Sequence, residues 1–143
     1  MERGRPAAGM LLFRRYAGEI QYLLLQKSSG AHHWSLPKGH VKKWEDPFMG
    51  AIRETFEDSG YLEKDLKIYT DITTTSEYIV KGKFKTVIYW LAELINPEML
   101  LHLSSEHEDY KWLPREEAKD LAHYEELSNV IDWAEEQILK LQK

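Results

Sequence analysis

Between Asp46 and Gly60 the chain is punctuated as a single helix. Pro47 suits a first helical turn, where its missing N–H is no loss, and Asp46 before it can accept a backbone N–H as an N-cap. Gly60 can take the left-handed conformation that ends such a helix. The spacing therefore predicts a helix over Pro47 to Ser59. At about 100° per residue, Phe48, Met49, Ile52 and Phe56 gather on one side, and Glu54, Glu57 and Asp58 gather on the other.

The flanking residues limit the topology. Ala8 to Phe13 reads as a strand, Tyr16-Ala17-Gly18-Glu19 as a turn, and Ile20 to Gln26 as a largely buried strand. Ser28 to Val41, rich in His, Gly and Pro, resembles no regular element. Strands are predicted at Lys67 to Thr74 and Thr86 to Leu94, with Lys81-Gly82-Lys83 turning between extended arms, and a short one at Tyr110 to Leu113. Pro114 fits the first position of a helix that continues through Arg115 to Ala122. The last helix, Glu125 to Leu141, carries Leu127, Val130, Ile131, Ala134, Ile138 and Leu141 at helical spacing. Strands interleaved with helices predict the α/β class: a mixed sheet covered on both faces, in one domain over residues 1–143.

Charge narrows the function classes. The net charge is −5 and there is no cysteine, so disulfides and thiolate chemistry are excluded. Acidity argues against broad binding to a duplex nucleic-acid backbone, which needs a basic face. A small anionic ligand stays open, because a bound cation reverses the local charge. No apolar run approaches the roughly 20 residues that cross a bilayer, and none of signal-peptide type follows the charged N-terminus. The expectation is a monomer with no membrane attachment, in the cytoplasm and with the nucleus left open.

An acidic helix face is either solvated or a metal site, and the helix alone does not choose. Spacing does. Gly39, five residues, Glu45, seven residues, Arg53-Glu54, two residues, Glu57-Asp58, one residue, Gly60 resembles the signature of the Nudix hydrolases. Six of seven fixed positions match, and the exception is Asp58, where the family has Glu. A chance match of this kind is about 10⁻⁷ per window at ordinary residue frequencies. The run His32-His33-Trp34-Ser35-Leu36-Pro37-Lys38-Gly39-His40 is similar to that of the animal-type diadenosine tetraphosphate hydrolases. So are Phe84 to Ala92 and Leu103-Ser104-Ser105-Glu106-His107.

The resemblance implies a Nudix fold, an α/β/α sandwich with a central mixed sheet. It implies that Glu45 pairs with Arg53 to hold the Gly39 loop, with Gly60 closing the helix. Glu54, Glu57, Asp58 and Glu106 would hold Mg²⁺, with Mn²⁺ as an alternative. Catalysis is expected at Arg53, Glu54, Glu57 and Glu106, the last orienting or deprotonating water. Lys38, Lys85 and His33 would grip a polyphosphate, and Tyr78 and Tyr124 would stack on adenine. The implied reaction is asymmetric cleavage of diadenosine 5′,5‴-tetraphosphate to ATP and AMP. RNA 5′ ends, other nucleoside polyphosphates and a nucleotide sensor are the alternatives. Asp58, one methylene short, implies retuned activity, and Trp44 with Lys42-Lys43 departs from the usual loop.

The remaining aromatics and histidines have simpler readings. Trp90, Trp112 and Trp133 are assigned to packing, and His40 and His107 to structural hydrogen bonds. The chain lacks the clustered His or Cys of a zinc site.

Overall fold

The computed structural model describes Arg5 through Gln142; the charged start, Met1 to Gly4, and Lys143 lie outside the described residues. Near-continuous apolar runs leave β1 (Ala7–Tyr16) and β2 (Glu19–Lys27) buried on both faces, and the turn at Ala17-Gly18 takes positive φ at both residues to join them. The pair is in register only from Phe13↔Tyr22 to Tyr16↔Glu19. Beyond it the strands part, and the His/Gly/Pro segment fills the gap with two short strands. β3 (Trp34–Ser35) pairs with β2, and β4 (Lys38–His40) pairs with β1. The expectation of no regular element in that segment is thus corrected. Bridges this short, kinked at Leu36-Pro37, carry no alternation to read.

The helix α1 (Pro47–Ser59) has the bounds its punctuation predicts. Asp46 Oδ1 accepts from the Met49 N–H at 2.9 Å, and Gly60 ends the helix at φ 79°. After a 3₁₀ turn at Glu63–Asp65 come β5 (Leu66–Val80) and β6 (Lys83–Leu94), longer than predicted and joined at Lys81-Gly82. β7 (His107–Leu113) pairs with β2. Pro114 caps α2 (Arg115–Ala122) from just outside rather than standing first within it. The final helix is α3 (Glu125–Leu141).

The sheet runs β3-β2-β1-β6-β5, with β4 on β1 and β7 on β2. β1 and β6 are parallel and the other pairs antiparallel, so the sheet is mixed. One face packs Leu11, Phe13, Tyr22 and Leu24 against Ala118 of α2 and Val130, Ile131, Ala134 and Ile138 of α3. The other packs Met10, Leu12, Leu23 and Leu25 against Ala51 of α1. The predicted class, with helices on both faces, is borne out. Leu141, placed on the apolar stripe of α3, is exposed. Among the described residues no helix is long and apolar enough to cross a membrane.

Candidate active site

α1 buries its small residues rather than its large ones. Gly50, Ala51, Thr55, Asp58 and Ser59 are buried, while Met49 and Phe56 are each 48% exposed. Small side chains let the helix lie close to the sheet, and this draws Asp58 inward, away from the surface position of Glu57. The neighbouring wedge is equally tight. A Cβ on Gly39 would overlap the Glu54 carboxylate, and one on Gly9 would overlap the Pro37 carbonyl. Glycine at 39 is therefore what lets β4 and Glu54 touch.

Arg53 organises the exposed side. Its Nη2 donates to Glu45 Oε1 at 2.6 Å and to the His40 carbonyl at 3.0 Å, and its Nε donates to Glu45 Oε2 at 3.1 Å. The Lys42 N–H donates to the same Glu45 Oε1 at 2.8 Å, closing the loop onto the helix. This holds the buried Glu45 carboxyl down at about 2, with the Arg53 hydrogen bonds as the main cause. Arg53 Nη1 also bridges Glu54 Oε2 at 2.8 Å and Glu57 Oε2 at 3.1 Å. The acidic face thus has a basic partner of its own, which helical spacing alone did not reveal.

Asp58 is the anomaly of the site. It is 4% exposed, and its Oδ2 has no hydrogen-bond partner among the described residues. Burial, then the negative charge of Glu54, pushes its carboxyl up to about 7, although the Lys38 backbone N–H donates to it. His107 Nδ1 stands 3.9 Å from its other oxygen and is held below the ordinary imidazole range by burial. Burial also raises Glu54. The oxygen donors Glu54, Glu57, Asp58 and Glu106 are the type a hard cation such as Mg²⁺ takes, and the orphaned Oδ2 fits such an ion. In this arrangement Arg53 occupies two of the carboxylates, and among the described residues no three acidic or His groups stand together as a coordination set.

Two cavities meet here. One, about 420 Å³, is lined by Arg53, Glu54, Glu57, Glu106 and Lys42. The other, about 540 Å³, is lined by His33, Trp34, Tyr78, Lys85, Tyr89, Tyr124 and Glu126. Both share Arg5, Lys27, Ser35, Lys38 and His40, so they form one trough with carboxylates at one end and tyrosines at the other. Lys38 is pushed below the ordinary lysine range, chiefly by burial and then by the charge of Lys27.

The tyrosine end is held by backbone geometry. Between α2 and α3, His123 takes φ 72°, ψ −49°, and the Tyr124 N–H donates to the Ala122 carbonyl at 2.8 Å. This is a γ-turn, a strained conformation for a residue with a side chain. It delivers Tyr124 beside His33, with the ring centroids 5.1 Å apart and Tyr124 Oη 3.2 Å from His33 Nε2.

Residues 3–134 match the NUDIX domain. The chain belongs to the Nudix family. It is 45% identical to the asymmetrical bis(5′-nucleosyl)-tetraphosphatase of Caenorhabditis elegans, over 87% of this chain and 90% of that protein. To the Mus musculus protein of the same name it is 42% identical, over 87% and 89%. A crystal structure of a C. elegans Ap4A hydrolase binary complex superposes with a TM-score of 0.91 at 41% identity, covering 96% of this chain and 99% of that one. The resemblance read from the residues is borne out at the level of family and fold.

Every site residue expected from the sequence except Asp58 and the structural pair Glu45 and Gly60 lines one of the two cavities. Asp58 lies beneath them, Glu45 behind Arg53, and Gly60 at the end of the Nudix helix. His33 belongs to the tyrosine end, bonded to Tyr124. Sequence reasoning did not reach Arg5, Lys27 or Ser35 as wall residues. Lys27 merely ends an apolar strand, and no local pattern marks it.

Proposed function

We propose that this Nudix protein, acting as one domain, is a Mg²⁺-dependent hydrolase that cleaves diadenosine 5′,5‴-tetraphosphate asymmetrically into ATP and AMP. The observation that carries the reading is the continuous trough, with carboxylates at one end, tyrosines at the other and lysines between. One nucleoside of a dinucleoside polyphosphate with its phosphate chain follows this order, base at the tyrosines and phosphates along the lysines towards the carboxylates. The tetraphosphatases of C. elegans and mouse, 45% and 42% identical to the chain, support it.

Tyr78 and Tyr124 offer flat, half-exposed surfaces to a base, and stacking there fixes the nucleoside. Lys38 and Lys85 neutralise the phosphates, with His33 donating to them from beside Tyr124. Glu54, Glu57, Asp58 and Glu106 would hold Mg²⁺, with Mn²⁺ able to replace it. Held by these carboxylates, such an ion would supply Lewis acidity at the phosphorus centre and a lowered pKa for the attacking water. Glu106 accepts the proton of the attacking water, and Arg53 keeps Glu54 and Glu57 aimed until substrate and metal arrive.

The test is product analysis. Purified protein with the dinucleotide and Mg²⁺, resolved by ion exchange, should yield equal ATP and AMP and fall silent with EDTA. Two ADP, or no turnover with either metal, would overturn the reading.

A further inference from the structure

The shared wall of the trough holds a cation that neither the motif nor the roles above use. Lys27 ends β2 at a bulge: Gln26 stands opposite Asp109 but Lys27 stands opposite His107, so Glu108 is an extra residue in β7. Bulges re-aim the side chains beside them and recur next to active sites. Both sides of this one are pinned. The Lys27 N–H donates to the His33 carbonyl at 2.9 Å, and the Ser28 N–H donates to the Glu106 carbonyl at 2.9 Å. The backbone at Lys27-Ser28 is therefore tied through Lys27 to a residue of the tyrosine end and through Ser28 to one of the carboxylate end.

Its side chain lines both cavities and makes no ion pair or hydrogen bond among the described residues. Arg5 and Lys38 share that wall and Lys85 stands on the tyrosine side of it, so like charges face one another along the trough, and Lys27 adds to the positive field on Lys38. Lysines of one sign facing a cavity are stabilised by a multivalent anion laid along them. A chain of phosphates running from the tyrosines to the carboxylates passes Lys27 midway, at its internal phosphates.

We propose that Lys27 is a phosphate-binding residue of the trough and sets which polyphosphate lengths it accepts, by gripping the internal phosphates between the carboxylate end and the tyrosine end. This rests on the reading of the substrate as a dinucleoside polyphosphate. A chain too short to span both ends leaves Lys27 unused, and a longer one gives it more oxygens to hold.

The experiment compares wild type, Lys27→Ala, Lys27→Glu and Lys27→Arg on diadenosine tri-, tetra- and pentaphosphate at fixed Mg²⁺. Losing one charged hydrogen bond should raise KM for the tetraphosphate about tenfold in Lys27→Ala, with kcat within twofold. The penalty should be smaller for the triphosphate and larger for the pentaphosphate, worse in Lys27→Glu and largely restored in Lys27→Arg. Because Lys27 is exposed, circular dichroism and Tm should not move. A KM change under threefold, an equal loss in kcat, or the same penalty at three and five phosphates would each overturn the assignment. If wild type cleaves none of the three, the functional reading fails separately. Calorimetry with inorganic tripolyphosphate then decides Lys27 alone: weaker binding by Lys27→Ala supports it, and equal binding refutes it.

Discussion

Arg53 grips Glu45 with two arms of its guanidinium, Nη2 to Oε1 at 2.6 Å and Nε to Oε2 at 3.1 Å. The third, Nη1, reaches Glu54 and Glu57. One side chain thus ties the loop before α1 to the acidic face of α1.

Glu45→Gln should loosen that tie. Replacing one charged hydrogen-bond acceptor costs about 2 kcal/mol, which lowers Tm by roughly 4–8 °C in a domain of this size. With the loop freed, kcat should fall by about tenfold or more. Thermal melts and steady-state rates check both, and a variant with wild-type rate would show that the loop needs no such anchor.

The same pair predicts an acid response. Glu45 sits at about 2 in the fold against an ordinary 4.5, so its contribution is present in full above about pH 4.5. It is lost as pH falls towards 2. The Tm gap between wild type and Glu45→Gln should therefore narrow steadily from pH 5 to pH 2. A gap that stays constant across that range would contradict it.

Asp58 predicts the opposite sign. Its carboxyl is raised to about 7, so the metal-free fold loses stability as pH rises from about 4 through 7. In EDTA at pH 8, Asp58→Asn should melt several degrees above wild type. Adding Mg²⁺ should then raise the Tm of wild type more than that of the variant. A variant less stable than wild type in EDTA would mean that the buried charge is compensated.

Gly39→Ala should damage the chemistry while sparing the fold. The added methyl lands on the Glu54 carboxylate and must push it aside. A displacement of about 1 Å at a catalytic group costs on the order of 10²-fold in rate. Rate constants beside far-ultraviolet circular dichroism would separate the two effects, and an unchanged kcat would remove Glu54 from the mechanism.

Tyr124→Ala should raise KM roughly tenfold with little change in kcat, since a stacked base is held by about 1–3 kcal/mol. Tyr124→Phe keeps the ring and its edge contact with His33 and loses only the hydroxyl's hydrogen bond to His33, so its KM should stay within about threefold. Equal KM values for all three proteins would place the base elsewhere.

What the sequence made legible has a physical pattern. Asp46, Pro47 and Gly60 act locally, through caps and allowed dihedrals, and the helix bounds they mark are those observed. The apolar runs of β1 and β2 were likewise readable as strands because each face meets a full core. β3 and β4 were invisible because they exist only where two other strands diverge, a tertiary event. The burial of Asp58 was missed for a related reason: helical angle groups it with Glu54 and Glu57, but it is buried with Ala51 and Thr55, beside the Lys38 backbone and His107. Lys27 shares a wall with Lys38 and Lys85 only through the bulge, which no spacing rule announces.

The parallel ladder between β1 and β6 has a consequence for how the chain comes to be folded at all. Ala7 pairs with Val87 and Phe13 with Glu93, partners about 80 residues apart. Closing a loop of that length costs roughly 4 kcal/mol of chain entropy before any contact is returned. During synthesis β1 leaves the ribosome early, yet its β6-side edge stays open until Leu94 has emerged. That unpaired apolar edge is a template for wrong partners in the interval. The wall between Ala7 and Lys85 can form only after that pairing, so the trough is among the last parts to be assembled.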